Sequence, residues 1–202
     1  MLCEPDYPCD YAPDTCDMLM GTGVIFPAGY LATNKPCAIA GDRRYMITGQ
    51  PKLEETFTCA AKVGTEGWPW VGGALAAAVD HNLNGPGGCN GGFVRDDALL
   101  MVTLISNTYD MADSAVGSEG TVETWREALL TAKNQDPNSI VMLNILDSDH
   151  APGCHPNDRT CLLTRSFPYS LVTDVNDASY GKPFADAVAL VDTACAGFVA
   201  PN

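Results

Sequence analysis

From about residue 51 onward, hydrophobic positions alternate between helical stripes and short continuous runs. Leu53, Phe57, Ala60 and Ala61 recur at helical spacing just after Pro51, a residue suited to a first helical turn, and predict a helix. Residues 70–82, WVGGALAAAVDHN, predict a second, Ala-rich helix. Asn84 to Gly92 holds five glycines and a proline, which predicts a loop. Ala98 to Ile105 is an unbroken apolar run between polar residues, the pattern of a strand buried on both faces. Residues 121–133 predict an amphipathic helix with Val122, Trp125 and Leu129 on one face. Glu123 in its first turn and Lys133 in its last suit the helix dipole. Ser139 to Leu146 predicts a second buried strand and Tyr169 to Val175 a third. Residues 182–198 predict a closing helix whose apolar stripe is Phe184, Val188, Val191 and Cys195 or Phe198.

Strands alternating with helices imply crossover connections and a mainly parallel sheet flanked by helices, an α/β fold. In such sheets ligands bind at the carboxyl ends of strands. Polar residues gather there: Ser106, Asn107 and Asp110 after one strand, Asp147, Ser148 and Asp149 after another. Residues 1–45 differ, with four cysteines, five prolines and little periodicity. They read as a Cys/Pro-rich loop segment, which leaves 46–202 as the α/β domain.

Charge narrows the choice of partner. The 202 residues include 25 acidic and 11 basic side chains, a net charge of −14. Nucleic-acid binding needs clustered Lys and Arg to neutralise phosphates, and no such cluster exists. No run of apolar residues is long enough to span a membrane.

The nine cysteines are Cys3, Cys9, Cys16, Cys37, Cys59, Cys89, Cys154, Cys161 and Cys195. None forms the close C-x-x-C pair that metal knuckles and redox sites use. Dispersed cysteines in an acidic, Gly- and Pro-rich chain read as disulfides of a protein that is secreted, periplasmic or at the cell surface. An odd count leaves one thiol free or paired elsewhere. After Met1 the chain runs directly into Cys3, Glu4, Pro5 and Asp6, without a leader pattern. A fragment of a longer precursor is the expectation.

Two metal patterns compete with simpler alternatives. His150, Cys154, His155 and Cys161 could form a zinc site, but in an oxidising compartment a Cys154–Cys161 disulfide is favoured. Asp147-Ser-Asp149 begins like a calcium loop, yet Ala151 and Pro152 occupy places that need a ligand and a glycine. No nucleophile elbow, zincin helix or phosphate-cradling loop occurs. His81 stands on an Ala-rich stretch without an acid or thiol suggesting a triad.

Residues 37–199 resemble the von Willebrand factor A-like domains of secreted bacterial surface proteins. The resemblance rests on Val63-Gly-Thr-Glu-Gly67, Gly73-Ala-Leu-Ala-Ala-Ala-Val79, the stretch from Gly92 to Ser106, and a closing helix with Asp192, Cys195 and Phe198. It implies a Rossmann-type sheet and a metal-dependent adhesion site for Mg or Ca, built from an Asp-x-Ser-x-Ser turn, a threonine and an aspartate. Thr65 matches the threonine, and Asn107 stands at the aspartate position, close to Asp110. The serine turn has no counterpart. Asp177-Ala-Ser-Tyr-Gly181 looks like it but precedes the last helix, where a helix-starting role fits better. The resemblance therefore implies a degenerate metal site, with Thr65, Asn107 and Asp110 marking a ligand face. It also implies a domain incomplete at its N-terminal side.

The leading functional expectation is an exported binding or adhesion module for a protein or other macromolecular ligand. One alternative is a hydrolase using Asp147, Asp149 or His150 as acid or base. Another is a structural subunit whose sheet is completed by a partner chain.

Overall fold

A computed structural model describes residues 11–65, 70–108, 110–111, 117–146, 153–176, 179 and 181–200. The chain divides into two compact units, Met1–Gly67 with Asn82–Phe93, and Trp68–His81 with Val94–Asn202. The short helix α3, His81–Asn84, contains the crossing from one to the other.

The first unit is mostly irregular, with a 3-10 turn at Cys16–Met18 and helix α1 at Leu53–Ala61. It extends past residue 45 to take in α1, which the Cys37–Cys59 disulfide ties to the preceding loops. Cys16–Cys89 fastens the returning segment. Polar side chains replace a sheet as internal scaffolding. Arg44 pairs with Asp14 at 2.6 Å and Asp17 at 2.8 Å. Asn90 accepts from the Gly23 amide and donates to the Gly21 carbonyl, both at 2.9 Å. Gln50 donates to the Ala38 carbonyl at 2.8 Å and accepts from the Ala40 amide at 3.1 Å. The predicted apolar stripe of α1 faces outward, with Leu53 and Phe57 exposed and Thr56 buried. The buried interior of this unit is polar, and Thr56 joins it by accepting from the Gln50 amide.

The second unit is α/β. Strands β1 (Leu100–Ile105), β2 (Ile140–Leu146) and β3 (Tyr169–Asp174) form an all-parallel sheet in the order β1-β2-β3. Helices α2 (Val71–Ala78), α4 (Val122–Ala132) and α5 (Arg159–Arg165) complete one side, and α6 (Gly181–Gly197) lies on the other. The single helix expected over 70–82 is interrupted, since a turn at Val79 and Asp80 separates α2 from α3. Helix α4 starts with a capping box: the Thr121 side chain accepts from the Thr124 amide and the Thr124 side chain from the Thr121 amide. Its buried face, Trp125, Leu129 and Leu130, packs with Val102, Leu104, Ile140, Met142, Leu163 and Phe167 into the main core. Lys133 ends α4 with its backbone amide, which donates to the Leu130 carbonyl, while its side chain turns elsewhere. Its ammonium is buried and donates to the carbonyls of Arg95 at 2.6 Å and Ala98 at 2.8 Å, and burial pushes its pKa down.

Two further predictions need correction, and one helix escaped the sequence pattern. Strand β1 is not buried on both faces: Val102 and Leu104 are buried, while Met101 and Ile105 are 41% and 62% exposed. It lies at the edge of the sheet, and α6 packs over β2 and β3. The stripe of α6 is rotated by one residue. Pro183, Ala187 and Ala194 face inward, whereas Phe184, Val188 and Cys195 are exposed, because small side chains let the helix lie close on the sheet. Helix α5 was not anticipated. Asp158 caps it by accepting from the Cys161 amide at 3.0 Å, and Cys154–Cys161 closes the loop before it.

Candidate functional site

The loop after β1 returns to the protein interior at Asp110, which is fully buried. One carboxylate oxygen accepts from the Gly72 amide at 2.8 Å and from the Ser118 hydroxyl. The other accepts from the Ser118 amide at 2.8 Å and the Arg159 guanidinium at 2.7 Å. Arg159, the first residue of α5, also donates to the carbonyls of Asp110, Met111, Ser118 and Gly120. Its guanidinium lies 4.5 Å from the ring centroid of Trp125, whose indole N–H donates to the Glu119 carbonyl. One carboxylate and one guanidinium thus join the loop after β1 to the starts of α2, α4 and α5.

Two glycines make room for this knot. A Cβ at Gly72 would come within 2.3 Å of the Trp125 ring, and one at Gly117 within 1.7 Å of the Met111 carbonyl oxygen. Arg159 could not have been paired with Asp110 from sequence, since 49 positions separate them. Asn144, the one amide within β2, did carry a signal. It is fully buried and donates to the Thr164 hydroxyl at 3.2 Å. Its Oδ1, like Oδ2 of buried Asp158, has no hydrogen-bond partner among the described residues.

The predicted ligand-face residues have different surroundings. Thr65, in the first unit, is exposed, and its amide donates to the Tyr30 carbonyl at 3.1 Å. Asn107, in the second, is exposed just beyond β1, next to Ser106, whose hydroxyl donates to the Thr108 carbonyl. Asp110 is engaged by Arg159 as described. Among the described residues no group of three His, Cys, Asp or Glu side chains is placed to hold a metal. Asp147, Ser148, Asp149 and His150 lie outside the described residues, as do Cys3 and Cys9.

The Cys154–Cys161 disulfide forms, so those sulfurs are not zinc ligands. His155 instead accepts from the Asn157 amide through Nδ1. Ser179 accepts from the Gly181 amide at the head of α6, as a helix-starting residue does. Beside it, an open cavity of about 310 Å³ lies between β3 and the start of α6, where Lys182 pairs with Asp186. No helix among the described residues is long and apolar enough to cross a membrane. No protein-family model matches the chain, and the searches of curated proteins and solved structures likewise return no match.

Among the described residues both β1 and β3 are edge strands, and the more exposed of the two is β1. It hydrogen-bonds to β2 alone, so its outer edge joins no strand among the described residues. Met101, Thr103 and Ile105 lie exposed along one face of that edge strand.

Proposed function

We propose that this chain is an exported binding module, of the von Willebrand A-like kind, that recognises another macromolecule through the uncovered side of β1. The observation that carries this reading is the edge strand, with Met101 and Ile105 at 41% and 62% exposure and no neighbouring strand among the described residues. Edge strands with apolar faces are templates for association unless they are covered, and proteins use them to capture partners. Three disulfides among the described residues support residence outside the reducing cytosol. The proposed recognition uses no divalent ion at Asp110, whose carboxylate is paired with Arg159.

The test is selection from a peptide display library on the immobilised, oxidised protein, with and without chelator. Ligands should be enriched, should survive chelation, and should be lost on Ile105→Lys. No enrichment, or ligands indifferent to that substitution, would reject the reading.

A further inference from the structure

Parallel register puts Thr103 and Ile105 of β1 on the same face as Leu143 and Ile145 of β2. Those two β2 residues are buried in a cluster with Ala187 of α6. Their β1 neighbours share that face without sharing the cover. A helix about 10 Å wide covers roughly two strands spaced about 4.8 Å apart. Helix α6 accounts for β2 and β3, which leaves this face of β1, beside its free edge, as an open shelf.

The side of α6 toward this shelf can be read from its turns. Pro183, Ala187 and Ala194 face the sheet. Lys182 and Asp186 face β3, since they line a cavity with Leu171, Val172 and Thr173. At about 100° per residue, Phe184 and Val188 lie on the opposite flank, toward β1. They are 44% and 58% exposed. Met101 and Ile105 make an apolar floor, and Phe184 and Val188 an apolar wall.

We propose that this step is the docking site for an amphipathic helix of a partner protein, apolar where it meets β1 and α6 and basic on its outer side. The inference rests on the reading of β1 as the recognition face. A helix fits because it can rest one apolar face on β1 and pack its side chains against the wall of α6. Charge selects a basic partner. The chain carries 25 acidic and 11 basic residues, and the single cation of α6, Lys182, is paired with Asp186 while Asp192 stays exposed. A second copy would bring a like charge of −14 against this one.

The probe is a synthetic peptide of about 18 residues, five turns, with Leu along one helical face and Lys elsewhere. Comparison peptides are its scrambled form, its Glu-for-Lys form and an alternating Val-Lys strand former. Fluorescence anisotropy measures affinity, circular dichroism measures peptide helicity on binding, and sedimentation measures self-association. The Leu/Lys helix should bind, gain helicity, and outbind its scrambled and acidic forms at least tenfold. Val188→Glu and Ile105→Glu should each weaken it at least tenfold while preserving the protein's own spectrum. Equal binding of the scrambled peptide would overturn the proposal by reducing the effect to bulk charge. So would indifference to Val188→Glu, or self-association abolished by that substitution. If the strand former binds through Ile105 but not Val188, the helix proposal fails and the β1 reading stands. If no peptide responds to either substitution and display selection also fails, both fall together.

Discussion

The two units keep their shape by different means. In the α/β unit, β2 is buried along its whole length, and Trp125, Leu129, Ile140, Met142 and Leu163 are each at most 2% exposed. In the first unit, the buried apolar side chains among the described residues are Pro27, Ala32 and Cys37, and its other buried groups include Arg44, Gln50, Thr56 and Asn90. One unit relies on apolar burial, which is non-directional and sums over area. The other relies on cross-links and on side chains that hydrogen-bond the backbone of irregular loops. Those bonds contribute little net stability each, but leaving a buried one unmade is costly. A region lacking a repeating backbone ladder needs such partners for every buried carbonyl and amide.

Reduction should separate the units most sharply. Cys37–Cys59 and Cys16–Cys89 close loops of 22 and 73 residues, and constraints of that size contribute about 3–5 kcal/mol each. Cys154–Cys161 spans only seven residues beside a buried core. With reductant, amide hydrogen exchange should accelerate throughout the first unit while β2 and α4 stay protected. Loss of protection in β2 at the same reductant concentration would mean that the α/β core depends on the cross-links too.

The next contrast lies inside the α/β unit, between its apolar core and its polar knot. Asp110→Ala removes one partner of a fully buried ion pair and leaves Arg159 uncompensated, which should cost about 3–5 kcal/mol. Leu129→Ala opens a cavity in the main core and should cost about 2–5 kcal/mol. Denaturant titrations followed by Trp125 fluorescence give both values. The knot variant should also speed hydrogen exchange selectively at the starts of α2 and α5, which the core variant should not. A cost below about 1 kcal/mol for Asp110→Ala would show that the knot is dispensable.

What the sequence revealed follows from these physical differences. Strand β2 and helix α4 were legible because a full run and a 3.6-residue stripe are each directly imposed by burial. The open face of β1 was not, since Met101, Thr103 and Ile105 interleave with Val102 and Leu104 without the polar alternation that marks exposure. The buried flank of α6 was misread because hydrophobicity favours Phe184 and Val188, while close helix–sheet approach selects Pro183, Ala187 and Ala194. Seven residues, Arg159 to Arg165, were too few to show a period. Asp110 was picked out as a ligand-face residue, but its neutralising partner is brought near only by the tertiary fold.

The smallest expected effect is a pH dependence belonging to the first unit. The Asp17 backbone amide and the Arg44 guanidinium hold the Asp14 carboxyl below its usual range. At Asp17 burial pushes upward, but hydrogen bonds from Arg44 and Tyr11 outweigh it, and this carboxyl too ends below normal. Burial and the bond to Asp17 push the Tyr11 phenol up to about 12. Depressed carboxyls contribute stability that is present above their unfolded value, about 3.9, and lost as pH falls through their folded values. The raised phenol works in the opposite direction. Its contribution is complete below the unfolded value of about 10 and disappears as pH rises through about 12. The first unit should therefore loosen at both extremes with its disulfides intact. Exchange at the Asp14 and Asp17 amides should report the acid limb, and ultraviolet titration of wild type against Tyr11→Phe the alkaline one. Because Asp14 is largely exposed, salt should blunt the acid limb. Arg44→Met should shrink the acid dependence at these amides without abolishing it, since the Asp17 amide still bonds the Asp14 carboxylate. If that variant kept the wild-type acid profile, the Arg44 cluster would not be what ties this unit to pH.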